Sequence, residues 1–194
     1  MLGKQQHGFI DSVGYDLYAQ MLDDAIKKRK GKKVAVKSNA EVQFNLEAYI
    51  PDDYIADQEQ KIEFYKKIKG INDQKEAESI ADELIDRFGD YPLAVENLLN
   101  VSKVKADADL AQVVAINQKS DDKLQVIFNN RASEELEGPN IFKALEHVSL
   151  RARINMDPQK RMNVMLELKK KMSTRQLFNE LHVFLAAASD IVQR

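Results

Sequence analysis

The densest run of groups with chemical potential lies between residues 76 and 86, where Glu76, Asp82, Glu83 and Asp86 occur among regularly spaced apolar residues. If residues 74 to 88 are helical, Glu76, Glu83 and Asp86 fall near one side, opposite an Ile80-Leu84-Phe88 stripe, with Asp82 beside them. The plainest reading is a solvated acidic face. Arg87, one turn after Glu83, would add an intrahelical pair worth only about 0.3–0.5 kcal/mol. Other catalytic constellations are missing from the sequence. It has no Gly-rich phosphate loop of either common type and no H-E-x-x-H. His7, His147 and His182 share no metal-ligand spacing. Asp52-Asp53 follows a proline at the end of an alternating segment, where aspartates serve turns more often than metals. No cofactor is therefore expected.

The elements that must carry these groups follow from apolar periodicity. Val13, Leu17, Met21, Leu22, Ala25 and Ile26 mark an N-terminal helix that runs into the basic segment Lys27 to Lys33, read as a solvated linker. Alternation from Val42 to Ile50 predicts a strand. Three helices should follow. The first is started by Asp57 with Gln60 and carries Ile62, Tyr65 and Ile68 inward; the second is started by Asp73 with Glu76 and carries Ala77, Ile80, Ala81, Leu84, Ile85 and Phe88 up to Gly89. The third opens near Pro92 and carries Leu93, Leu98, Leu99 and Val104.

The second half reads as strands over Leu110 to Asn117 and Leu124 to Phe128, joined by a hairpin turn at Lys119 to Asp122. A short helix from Pro139 with Ile141, Phe142 and Leu145 leads to a strand from Val148 to Met156. A turn at Asp157-Pro158-Gln159-Lys160 returns the chain through Met162 to Leu168, and a last helix is capped by Ser173 with Gln176. Strands in blocks favour an α+β layer, a mainly antiparallel sheet of about five strands covered by helices and preceded by the N-terminal helical segment. Residues 1–40 would form a helix and linker, and residues 41–194 the α+β domain.

Bulk properties narrow the function. A chain of 194 residues with 44% hydrophobic content can bury a real core, and zero cysteines remove thiol chemistry and disulfides together. A cytoplasmic protein is expected, since no stretch reaches the roughly 18 apolar residues of a membrane span. A formal charge of −2 argues against a dedicated nucleic-acid-binding domain. The one regular basic surface would be Arg151, Arg153 and Arg161 on the outer face of the late hairpin.

Three blocks resemble a known family. Leu2-Gly3-Lys4-Gln5-Gln6-His7-Gly8-Phe9-Ile10 with Val13-Gly14-Tyr15-Asp16-Leu17-Tyr18 looks like the segment after the last helicase motif of bacterial transcription-repair coupling factors. Tyr49-Ile50-Pro51-Asp52-Asp53-Tyr54-Ile55 with Lys61 to Lys66, and Glu83-Leu84-Ile85-Asp86-Arg87-Phe88-Gly89-Asp90-Tyr91-Pro92, resemble that family's C-terminal domain. The resemblance implies a non-catalytic piece from the C-terminal end of a DNA translocase that removes stalled RNA polymerase from duplex DNA and recruits excision repair through UvrA, with ATP and magnesium confined to motor domains that this chain lacks. It implies that Gln6 stands for the glutamine of the translocation motif. It also implies that Glu83 and Asp86 pair with arginines of the protein's own UvrB-like module and so hide the surface that binds UvrA. At i and i+3 the two carboxylates share a helix face and can present acceptors to guanidinium groups. Glu76 and Asp82 join them by geometry alone. The competing expectation is an accessory nucleic-acid module using the basic linker and the three arginines.

Overall fold

The computed structural model describes residues 35–194, so Gln6, the N-terminal helix and the basic run at 27–33 lie outside the described residues. The described part is α+β, as expected. Strands β1 (Glu41–Gln43), β2 (Val113–Ser120), β3 (Lys123–Phe128), β4 (Ala152–Met156) and β5 (Met162–Glu167) form one sheet in the order β1-β2-β3-β5-β4. The β1–β2 pair is parallel and every other pair antiparallel, so the sheet is mixed. The helices among the described residues are α1 (Gln58–Lys69), α2 (Gln74–Phe88), α3 (Leu93–Leu110), α4 (Asn130–Glu135), α5 (Pro139–Ala144) and α6 (Thr174–Val192).

Two apolar cores result. The larger one joins the inner sheet face, with Ile116, Leu124, Val126, Val164 and Leu166, to Val104 and Ala108 of α3 and to Leu181, Phe184 and Leu185 of α6. Phe128 and Phe184 meet edge-on in it at 5.9 Å. The smaller core gathers Ile50, Ile55, Phe64, Ile68, Ala77 and Leu84 around Val95 and Leu99 of α3. Helix α3 is therefore a beam shared by both, its first half serving the helical layer and its second half the sheet.

The chain enters this fold through a set of polar ties. Val36 N–H donates to the Gln193 Oε1 (3.2 Å), and the Gln193 amide nitrogen donates back to the Val36 carbonyl and to the Leu110 carbonyl (2.6 Å). Ser38 N–H donates to the Asp109 carbonyl (2.9 Å) and Ala40 N–H to the Asp109 carboxylate (2.7 Å). Burial pushes the Asp109 carboxyl above its ordinary value, partly offset by the Ala40 bond.

Several expectations need correction. The strand over Val42 to Ile50 is a ladder only at Glu41–Gln43, although half-buried and exposed positions keep alternating up to the buried Ile50. Beyond Gln43 side chains and α3 replace the ladder: Asn45 N–H donates to Gln118 Oε1, the Asn97 amide donates to the Glu47 carbonyl, and Tyr49 N–H to the Ala94 carbonyl. Asp57 caps α1 by position, without a side-chain bond, so no capping box forms there. Leu110 ends α3 instead of opening a strand, because a short apolar run does not distinguish a buried helix turn from a buried strand. The late strand begins at Ala152, not Val148, and α4 was not foreseen. Ile62, Ile85 and Leu93, expected on apolar stripes, are exposed, as are Phe142 of the short helix and Met156 of the late strand. Ile62 and Ile85 sit at the margins of stripes whose centres are the fully covered Phe64, Ile68 and Leu84. The capping box at Ser173 and Gln176 is present in full.

The hairpin between β4 and β5 turns at Lys160, whose φ of 61° is left-handed. A side chain with a Cβ is strained there and glycine is not. Lys160→Gly is expected to raise stability by up to about 1 kcal/mol, the relief exceeding the added entropy of the unfolded chain. A thermal midpoint at or below that of the parent would show that the turn carries no such strain.

Candidate partner-binding face

Helix α2 is built by its two ends. Asp73 accepts from the Glu76 N–H at 2.7 Å, and the Glu76 carboxylate reaches back to the Asn72 N–H at 2.8 Å. Gly89, at φ 83°, closes the other end by donating to the Ile85 carbonyl. The Tyr54 hydroxyl, 2.7 Å from the Gly89 carbonyl, ties this end to the turn after Pro51, and burial raises the Tyr54 pKa. Ala77 and Leu84 fix which face points inward. The acidic residues therefore project away from the helical core.

Their individual settings differ more than the sequence implied. Asp82 and Asp86 are exposed and have no hydrogen-bond or ion-pair partner among the described residues. Glu76 is spent on the helix start. Glu83 is half-buried and held: Lys67 of α1 places its ammonium 2.9 and 3.2 Å from the two carboxylate oxygens, and Arg87 approaches Oε1 at 3.4 Å. Lys67 also lies 3.2 Å from Glu63, and Arg87 3.8 Å from the same carboxylate. Beneath this quartet lies the Phe64 ring, with the Lys67 ammonium 5.0 Å and the Arg87 guanidinium 5.1 Å from its centroid. Phe88 packs edge-on against Phe64 at 5.5 Å. Lys67 and Glu63 escaped the sequence reading, although their i, i+4 spacing was visible, because nothing in the sequence says that α1 lies beside the Glu83 face of α2.

The Lys67 hydrogen bond, supported by Arg87, holds the Glu83 carboxyl below its ordinary value of 4.5. A carboxyl depressed in the folded state adds stability above the unfolded pKa and loses it as pH falls through the folded pKa. Because Glu83 is about a third exposed, the contribution is screened to less than about 1 kcal/mol. Glu83→Gln is thus expected to be slightly less stable than the parent near pH 7, with the two melting curves converging as the pH falls below the ordinary carboxyl value of 4.5. A gap that stays constant from pH 7 to pH 3 would assign the loss to packing instead.

The alternative basic surface is less available than expected. Arg161 donates from Nε to Asp157 at 2.9 Å, and Arg153 faces Glu167 at 3.7 Å; Arg151 is exposed. Groups of His, Asp or Glu able to hold a metal do not occur among the described residues. Among the described helices none is long and apolar enough to cross a membrane.

A five-stranded mixed sheet with its helices on one face, joined by a shared helix to a small helical layer that displays charge, defines an α+β domain with no motor architecture among the described residues. The TRCF domain family model matches residues 44–138. The chain is 40% identical over 168 residues to the transcription-repair-coupling factor of Staphylococcus epidermidis (86% of this chain, 14% of that protein) and 43% identical over 144 residues to that of Bacillus subtilis (74% and 12%). It is similar to the crystal structure of a C-terminal domain of transcription-repair coupling factor, with a TM-score of 0.74 and 33% identity, covering 80% of this chain and 95% of the other. The chain belongs to the transcription-repair-coupling factor family and corresponds to its C-terminal domain, spanning about 14% of the length of the curated relatives it matches.

Proposed function

We propose that this chain is a non-catalytic regulatory module that binds the UvrB-like module of its own parent protein through the outer face of α2 and thereby covers the surface that recruits UvrA. The observation that carries the reading is the pair Asp86 and Glu83. They lie one turn apart on a rigidly capped helix, off the Ala77 and Leu84 face, with Asp86 open to solvent. Such a pair offers a guanidinium-bearing surface two acceptors without disturbing the fold. Asp82 extends the negative surface, whereas Glu76 acts chiefly at the helix start. In the parent, the ATP-driven translocation on duplex DNA and the removal of RNA polymerase belong to other domains, and Gln6 stands at the end of the translocation motif.

The test is a titration of this chain against the matching UvrB-like module, with UvrA as competitor. Saturable, salt-sensitive binding that UvrA displaces is expected. Tight, salt-sensitive binding to duplex DNA with no binding to the module would favour the nucleic-acid reading instead.

A further inference from the structure

Glu83 is already occupied, so a partner's arginine must take it from an internal cation. We propose that Lys67 gates the Glu83 acceptor and that Glu63 is the acceptor to which Lys67 retires when a guanidinium arrives. This rests on the reading of α2 as the partner-binding face. Lys67 touches both carboxylates at once, 2.9 Å from Glu83 and 3.2 Å from Glu63, so releasing Glu83 leaves it paired and not stranded. Its ammonium stays within reach of the Phe64 ring, which supports the cation in either pairing. Arg87 leaves one Glu83 oxygen engaged, at 3.4 Å from Oε1, while among the described residues Oε2 is held by Lys67 alone at 3.2 Å. The vacated position suits a planar fork that bonds Oε2 and reaches towards Asp86 one turn on. A partner lysine, a single point charge, replaces Lys67 with no gain in hydrogen bonds. The quartet of Glu63, Lys67, Glu83 and Arg87 carries no net charge, so it attracts cations weakly until the exchange occurs. The gate therefore selects arginine over lysine and keeps unspecific basic surfaces away.

A double-mutant cycle on the 194-residue chain, titrated with the UvrB-like module, tests this. Lys67→Met keeps the apolar stem over Phe64 and is expected to tighten binding about three- to fivefold at low salt. Glu63→Gln is expected to weaken binding by a similar factor in the parent but to have little effect in the Lys67→Met background, where no Lys67 ammonium needs a resting place and Arg87 alone stays near residue 63, at 3.8 Å. Equal effects of Glu63→Gln in both backgrounds would reduce its role to general charge and overturn the gate. Unchanged or weaker binding by Lys67→Met, with a midpoint near that of the parent, would overturn it too. Asp86→Lys keeps the two levels apart. If it abolishes binding while the cycle shows no coupling, the face stands and the gate falls. If Asp86→Lys and the cycle variants all bind like the parent, the face and the gate fall together.

Discussion

Reversing both carboxylates, Glu83→Lys with Asp86→Lys, is expected to abolish binding to the UvrB-like module at micromolar concentrations. Each change removes an acceptor and sets like charges against each other in a contact that water largely leaves, where truncation alone costs about 2–5 kcal/mol. The fold is not indifferent to the pair. Lysine at 83 meets Lys67 and Arg87, the cations that now hold the carboxylate, so the double variant is expected to lose about 1 kcal/mol of stability. Asp86→Lys alone removes the ambiguity, since that side chain has no partner among the described residues and its reversal should leave the thermal midpoint unchanged. Binding as tight as the parent by a folded Asp86→Lys chain would remove α2 from the interface. In the intact protein, the same substitution is expected to expose the UvrA surface without nucleotide or DNA.

The second large effect concerns the two cores. Phe64 is completely covered, meets Phe88 edge-on, and lies under both Lys67 and Arg87. Phe64→Ala deletes the centre of the smaller core and is expected to cost about 3–5 kcal/mol. The sheet has its own core of some two dozen buried residues, in which Phe64 takes no part. Amide exchange should therefore show α1 and α2 losing protection while β2, β3 and β5 keep it, two cooperative units in one chain. The whole domain losing protection together would mean that α3 couples both cores into a single transition. Binding through α2 should fail in this variant even where the sheet survives.

The sequence made the sheet and most helices legible because their signals were redundant. The alternation of Met162, Val164 and Leu166, the paired caps at Ser173 and Gln176, and the stop at Gly89 each agree with the pattern around them. Legibility failed where an element's environment, and not its own periodicity, decides the outcome. Val42 to Ile50 alternates as a strand should, but β2 and β1 share only a three-residue ladder before Asn45 bonds the Gln118 side chain of β2 and Glu47 and Tyr49 turn to α3. Asp82, Glu83 and Asp86 were legible as one acidic face, yet what distinguishes Glu83 from Asp86 is α1, a separate helix placed by packing of Phe64 and Ile68 in the core they share with Ile50, Leu84, Val95 and Leu99. For the same reason Arg161 reads as available cation in the sequence and is a turn anchor in the fold, held by the Asp157 four residues before it.

The Gln193 and Asp109 ties have a mechanical meaning. Tension reaching Val36 along the chain meets three fasteners in series: the Gln193 carboxamide, the bonds from Ser38 and Ala40 to Asp109, and the β1–β2 ladder. A pull in line with β1 loads its pairs at Glu41, Val42 and Gln43 in shear, all at once, where a pull across the sheet would open them one by one. The first fastener closes on a residue 157 positions away in sequence, so the strain is delivered to the end of α6 and through Leu110 to the end of α3, the beam on which both cores rest. A load applied at Val36 thus reaches the sheet, α6 and the second half of α3 first, while the helical layer carrying α2 packs on the other half of α3.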